Sequence, residues 1–143
     1  MKSSAELVKA IQSFEGLRLN AYRCAAGVWT IGYGHTQDVR RGQTITREQA
    51  VAFLMADLAT FERYVNSIPE ITTQGQFDAV VDFVFNLGIR PFAHSTLYRY
   101  IRARRSTADI QNEFRRWVYA NGVRLSGLAK RREWEAKRWA QKS

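Results

Sequence analysis

The sequence predicts an α+β protein that is mostly α, with a small antiparallel β-region near the N-terminus followed by a larger helical lobe. Three observations carry this reading. Capping-box patterns precede stretches whose apolar residues step by three and four. Between Leu17 and Ile45 that period gives way to glycines and β-forming residues, and a later segment, Thr73 to Gly88, turns apolar nearly all round. The chain reads as one domain, with a helix and β-lobe over about 1–45 and a helical lobe over about 46–143; at 143 residues it can bury roughly 68–70% of its unfolded surface.

Ser3 with Glu6 three residues later forms a capping box, and Leu7, Val8, Ile11 and Phe14 share one face, so a first helix is expected over about 3–14. Gly16 suits its end. The alternation in LRLNAYR and the run VWTIGYG then predict a short twisted sheet with tight turns. Thr46 with Gln49 opens a long helix through Val51, Leu54, Leu58, Phe61 and Val65 that must stop before Pro69. The segment QGQFDAVVDFVFNLG is expected to be the enclosed central helix, closed by Asn86 and Gly88, and Pro91 bars its continuation. Helices over about 94–104 and 107–118 follow, the second started by Ser106 with Asp109. A glycine-marked turn leads into the basic tail GLAKRREWEAKRWAQKS. That tail has two readings: a docked terminal helix with a solvated basic face and tryptophans on the core, or a cationic amphipathic helix touching anionic lipid or envelope polymers.

Composition narrows the chemistry. Cys24 is the single cysteine, so no disulfide forms within the chain, and no His/Cys cluster has metal-ligand spacing. Polar residues interrupt MKSSAELVKAIQSFEG throughout, leaving neither a signal-peptide core nor a membrane span, so synthesis in the cytoplasm is expected. The formal charge of +9 calls for an anionic partner: nucleic acid, an anionic membrane or an acidic polymer.

Candidate catalytic groups crowd into EGLRLNAYRCAAGVWTIGYGH, residues 15–35. Glu15 falls at the end of the first helix, where the negative pole of the dipole and the apolar neighbours Phe14 and Leu17 would favour a protonated carboxyl, as a general acid requires. Cys24, nine residues beyond it, is either a small buried hydrophobe or a base or nucleophile, and the latter needs local positive charge to lower the thiol pKa. Thr30 follows Trp29 in a glycine-bounded hairpin, where its hydroxyl could orient water or a sugar hydroxyl. His35 is a second candidate base or a structural hydrogen-bond partner, and takes a supporting role.

The run E-G-L-R-L-x-A-Y-x-C-x-x-G-V-W-T-I-G-Y-G-H-T resembles the active-site region of the phage-type lysozymes, the endolysins of glycoside hydrolase family 24. The family pattern of Glu, eight residues, Asp or Cys, five residues and Thr falls on Glu15, Cys24 and Thr30. FNLG at 85–88, STL at 95–97 and GLAKRR at 127–132 resemble its later segments, so the likeness covers essentially the whole chain. The resemblance implies a lysozyme-like fold with a glycan cleft between two lobes. It implies a muramidase that cleaves the bond between N-acetylmuramic acid and N-acetylglucosamine in peptidoglycan without a cofactor or metal. Glu15 is then the general acid, Thr30 places the attacking water, and Cys24 stands where many members carry Asp. Trp29, His35 and Asn86 are the expected supporting or substrate-contacting residues.

The competing reading is a basic module that binds nucleic acid or anionic membrane without catalysis. No helix-turn-helix, aromatic RNA-binding strand or zinc finger is apparent, so no nucleic-acid partner is expected, and the Arg clusters at 102–105 and 130–132 read as solvated faces. A monomer resembling the soluble endolysins is expected, one that stays in the host cytoplasm until a holin opens the inner membrane and admits it to the wall.

Overall fold

A computed structural model describes residues 1–143. In chain order the elements are α1 (Ala5–Glu15), β1 (Arg18–Arg23), β2 (Trp29–Gly32), α2 (Arg47–Asn66), α3 (Gln74–Leu87), α4 (Ile89–Ala93), α5 (Thr96–Arg102), α6 (Thr107–Arg115), β3 (Tyr119–Ala120), β4 (Val123–Arg124) and α7 (Ser126–Ala140). The chain divides into two compact units, one spanning Val8–Thr60 and the other Met1–Leu7 with Phe61–Ser143. The unit that holds the β-region therefore includes the greater part of α2, beyond the residue-45 limit that loss of the β pattern suggests.

In the first unit β1 and β2 pair antiparallel, with Tyr22 opposite Thr30 and Arg23 opposite Trp29, and a bulge shifts the register before Arg18 meets Gly32. Residues 43–45 run along the other side of β1, where Ala21 N–H donates to Gln43 at 2.9 Å and Ile45 N–H to Leu19 at 2.9 Å. Ile11, Ile31, Ile45, Leu54 and Leu58 are buried and form the core of this unit. The alternation expected of β1 does not appear in its burial: Arg18, Leu19 and Asn20 are all exposed, whereas Ala21 and Tyr22 are both half-buried.

The second unit is built on α3, whose residues Phe77 to Val84 are all buried, as the all-round apolar pattern predicts. Its N-terminus carries a complete capping box: Thr73 accepts from Gln76 N–H while the Gln76 side chain caps back. Phe83 makes edge-to-face contacts with Phe92, Phe114 and Trp117 at centroid distances of 5.7, 5.8 and 5.5 Å, a geometry that sets ring edges against ring faces. Gly75 is required by packing: a Cβ there would lie 1.7 Å from the Gln141 carbonyl oxygen and 2.4 Å from that of Arg138. The end of α7 thus rests on bare α3 backbone.

Three expectations are corrected. The first helix is capped by Ser4, whose Oγ accepts from Leu7 N–H at 3.1 Å, whereas Ser3 bonds Glu62 through both its amide and its hydroxyl. Pro91 does end α3 but lies inside the short helix α4, in whose first turn a missing N–H costs nothing; the next helix starts only after Ser95, whose Oγ accepts from Tyr98 N–H. The helix begun at Ser106 stops at Arg115, and Trp117 and Val118 lead into the β3–β4 hairpin. That hairpin turns on Asn121 and Gly122, both at positive φ (50° and 77°), the pattern of an Asn-Gly turn.

The largest correction concerns the tail. Arg131, Arg132 and Arg138 of α7 are buried, not solvated. Arg138 binds Asp78 (Nη2–Oδ2 2.7 Å) and Arg131 binds Asp82 (Nη2–Oδ1 2.9 Å), so positions seven apart on α7 meet positions four apart on α3. Asp78 also accepts from the Ser4 hydroxyl and from Gln74 Nε2 at 2.8 Å, which satisfies a carboxylate that burial would otherwise penalise heavily. Arg132 binds Glu135 within the helix. Enclosure pushes the Glu135 carboxyl well above the usual range, helped by the neighbouring Asp82 and opposed by Arg132. Trp139 is buried beside Phe114, as the docked-helix reading expects.

Candidate active site

The candidate groups of residues 15–35 lie in one compact unit, Val8–Thr60. Glu15 is the last residue of α1 and half-buried. Gly16 follows at φ 71°, its N–H bonding Gln12 at 2.9 Å, so the helix stops by a left-handed glycine at the position where the carboxyl must leave the helix axis. The carboxylate lies over Gly34, where a Cβ would fall 2.7 Å from Glu15 Oε1. Gly34 belongs to a tight turn closed by Ile31 and His35, which exchange N–H···O bonds of 2.9 Å in both directions, with Gly32 and Gly34 at φ 67° and 77°. Two glycines at positive φ let the chain reverse there, and the second also leaves room for the acid.

Cys24 opens the β1–β2 turn. Its N–H donates to Val28 and its carbonyl accepts from Gly27, at 3.0 and 2.8 Å, with Gly27 at φ 79°. The backbone amides of Val28 and Ala26 lower the thiol pKa below its ordinary value, with the Thr30 hydroxyl adding to the effect and desolvation opposing it. Sequence reasoning looked to nearby positive charge for this effect; neutral hydrogen-bond donors of the turn supply it. Thr30 is buried, and its hydroxyl donates to the Val28 carbonyl at 3.0 Å. A hydroxyl has one proton, so it serves Val28 while the thiol is neutral and turns to sulfur when the thiolate forms.

Trp29, opposite Arg23, is half-buried, with the guanidinium 5.2 Å from its ring centroid. His35 is buried: Nδ1 lies 2.8 Å from Asp57 Oδ2 on α2, and the ring stacks on Phe53 at 4.4 Å. It bolts the glycine turn to α2, the structural alternative that the sequence had left open. Asn86 stands in the other unit, near the end of α3, accepting from Arg132 Nη2 at 2.8 Å.

A model of the phage lysozyme family matches residues 12–135. The chain belongs to that family. Among relatives of this phage lysozyme family member, the endolysin of Acyrthosiphon pisum secondary endosymbiont phage 1 is 44% identical over 130 residues, covering 87% of this chain and 88% of that one. The endolysin of Bacillus phage B103 is 39% identical over 94% of this chain, which spans only 52% of that longer protein. Among solved structures, the muramidase domain of SpmX from Asticaccaulis excentricus superposes with a TM-score of 0.89 at 36% identity, covering 98% of each chain. The mostly helical lysozyme-like fold expected from the sequence is thereby shown.

Two residues that the sequence did not single out shape this family member's site. Gly34 carries the Glu15 carboxylate and Asp57 holds His35. Asp57 stands four residues after Phe53, which places the two on one face of α2; nothing local marks them as partners of a histidine in another segment.

Proposed function

We propose that this protein is an endolysin, a peptidoglycan-degrading N-acetylmuramidase that hydrolyses the bond between N-acetylmuramic acid and N-acetylglucosamine, with Glu15 as proton donor. Glycosidase activity follows from membership of the phage lysozyme family. The observation that carries the residue assignment is the seating of the Glu15 carboxylate on Gly34, at the end of a helix stopped by Gly16. There it is fixed in place yet only half-buried, so it can reach a substrate oxygen.

In the reaction Glu15 gives its proton to the glycosidic oxygen as the bond to the anomeric carbon breaks; water adds to that carbon as the new hydroxyl, and its other proton passes to solvent, from which Glu15 is reprotonated. We infer that Cys24 acts as a thiolate in place of the aspartate that other members carry, a role its lowered pKa favours. That charge stabilises the cationic sugar and orients the water. Thr30 accepts from the water with a hydroxyl lone pair, and its proton is shared between the Val28 carbonyl and the Cys24 sulfur. Trp29, His35 and Asn86 support the site: Trp29 offers an apolar face for a sugar ring, His35 braces the Gly34 turn, and Asn86 contacts the glycan.

We further infer synthesis in the host cytoplasm, action as a monomer, and access to the wall after a holin opens the inner membrane. Leu7 and Ile11 are fully buried, so the first helix is committed to the folded enzyme. Contact of the tail with lipid is not part of this reading, because Arg131, Arg132 and Arg138 are engaged inside the fold.

Turbidity clearing of purified cell walls tests the assignment. The protein should clear them and Glu15→Gln should lose at least ~10²-fold in rate; equal clearing by both removes Glu15 from its role. Expression with and without a holin tests the route: lysis should require the holin.

A further inference from the structure

At the end of the sheet that carries the Cys24 turn lies a cationic recess that the reaction leaves unused. Residues 43–45 run antiparallel to β1, with Asn20 opposite Thr44, so the chain just before Gln43 lies beside the end of β1 that leads into the Cys24 turn. Ala21 N–H is bonded to Gln43, and Cys24 follows three residues further on, about 10 Å along the strand. There Asp38, Arg40, Arg41, Gly42 and Gln43 line a recess of about 490 Å³. A tight turn fixes its shape. Gln43 N–H donates to the Arg40 carbonyl at 3.1 Å, the Gln43 side chain accepts from Arg40 N–H at 3.0 Å, and Gly42 takes the positive φ of 81°.

Arg40 and Arg41 are exposed and neither meets a carboxylate, while Asp38 has no cationic partner. Their charge does not serve the thiol, whose lowered pKa comes from hydrogen bonds within its own turn. Arg23, at the same end of β1, is already laid against the Trp29 ring. Two adjacent guanidinium groups, each a planar fork of donors, suit an oxyanion. Asp38 narrows the choice: its fixed negative charge opposes a phosphate dianion more than a single carboxylate, and it can accept from the N–H groups that accompany a carboxylate in a peptide. Peptidoglycan offers such a ligand, since the peptides on its muramic acid residues carry free carboxylates. We propose that Arg40 and Arg41 form a subsite for a carboxylate of the wall peptide. The inference rests on the endolysin reading and adds to it a contact with the peptide, outside the sugar chain whose bond is cut.

Kinetics on solubilised peptidoglycan, untreated and with its carboxylates converted to amides, test the subsite. Both positions are exposed, so Arg40→Gln with Arg41→Gln keeps the fold. That double variant should raise KM about fivefold on the untreated substrate, within the range of exposed ion pairs, with kcat little changed. On the amidated substrate the unaltered protein should show the same raised KM, and the double variant should add nothing to it. Arg104→Gln with Arg105→Gln removes two exposed arginines from the other compact unit and should leave KM unchanged, which separates a built subsite from attraction by net charge.

Unchanged KM in the Arg40/Arg41 variant would overturn the subsite, and so would an equal rise in the Arg104/Arg105 variant. A rise in the Arg40/Arg41 variant that is as large on the amidated substrate as on the untreated one would overturn the carboxylate and point to a phosphate, which amidation leaves intact. If the unaltered protein cuts neither substrate, the endolysin reading fails and the subsite with it.

Discussion

The Glu15 carboxylate occupies the space in which a side chain at residue 34 would begin: a Cβ on Gly34 would lie 2.7 Å from Oε1 and 3.2 Å from Cδ. The acid on α1 and the glycine after β2 therefore pack as one pair. Gly34→Ala should act twice. The carboxylate must move by several tenths of an ångström, and alanine at φ 77° costs roughly 1–2 kcal/mol. Wall clearing should fall by more than the few degrees lost in Tm would explain, about tenfold or more, because a small misplacement of a catalytic group is costly. Full activity with only a lower Tm would reduce Gly34 to a turn residue.

Cys24 should alkylate with iodoacetamide along a pH curve whose midpoint lies below that of an ordinary thiol, because the Val28 and Ala26 amides and the Thr30 hydroxyl favour the thiolate. Thr30→Val should move the midpoint back up. A lowered thiol pKa means that the linked stability is present above the unfolded pKa and is lost as pH falls through the folded one. In wall clearing, Cys24→Asp should retain activity and Cys24→Ala should lose most of it. Full activity in Cys24→Ala would make the thiol a packing group.

Asp78→Ala should destabilise the fold by about 3–5 kcal/mol, because it leaves Arg138 buried without its partner. Replacing Asp78 and Arg138 together with apolar residues should cost much less. Denaturant titration separates the two outcomes. For the same reason a chain cut after Arg132 should lose its native fold along with its activity, since Glu135, Arg138 and Trp139 are core residues.

Gly75→Ala should be among the harshest single-methyl additions in the chain. The atoms a Cβ would meet are the backbone carbonyl oxygens of Arg138 and Gln141, which cannot rotate away. A loss of about 1–3 kcal/mol is expected, read as a drop in Tm with hydrogen exchange quickened first at the end of α7. An unchanged Tm would show that α7 can shift freely.

His35→Ala should lower stability by removing the bond to Asp57 and the stack on Phe53. Asp57→Asn, which can still hydrogen-bond, should cost about 1 kcal/mol or less. A large activity loss at unchanged Tm in either variant would return His35 to the candidate bases.

Much of the fold was legible in the sequence because its signals are local. The 3.6-residue period, the caps and Gly16 are all written within one turn of where they act, and so is the hairpin that sets Cys24 six residues before Thr30. The acid, the thiol and the hydroxyl were singled out as candidates by the resemblance of residues 15–36 to the phage-type lysozymes. What spacing could not supply was the partner of each group. Arg131, Arg132 and Arg138 look like a solvated basic face until α7 lies against α3 and places Asp78 and Asp82 beside them. Asp78 and Asp82 in turn look out of place on an apolar helix until those arginines arrive. The lowered thiol pKa has the same character: the charge count suggested arginines, but the backbone N–H groups of a turn are close enough to act and the positive side chains are not needed. Local propensity and periodicity decided where the elements and the reactive side chains fall. Only the tertiary structure decided which buried charge meets which, since a buried charge is tolerable only beside its partner and that partner is 49 or 60 residues away.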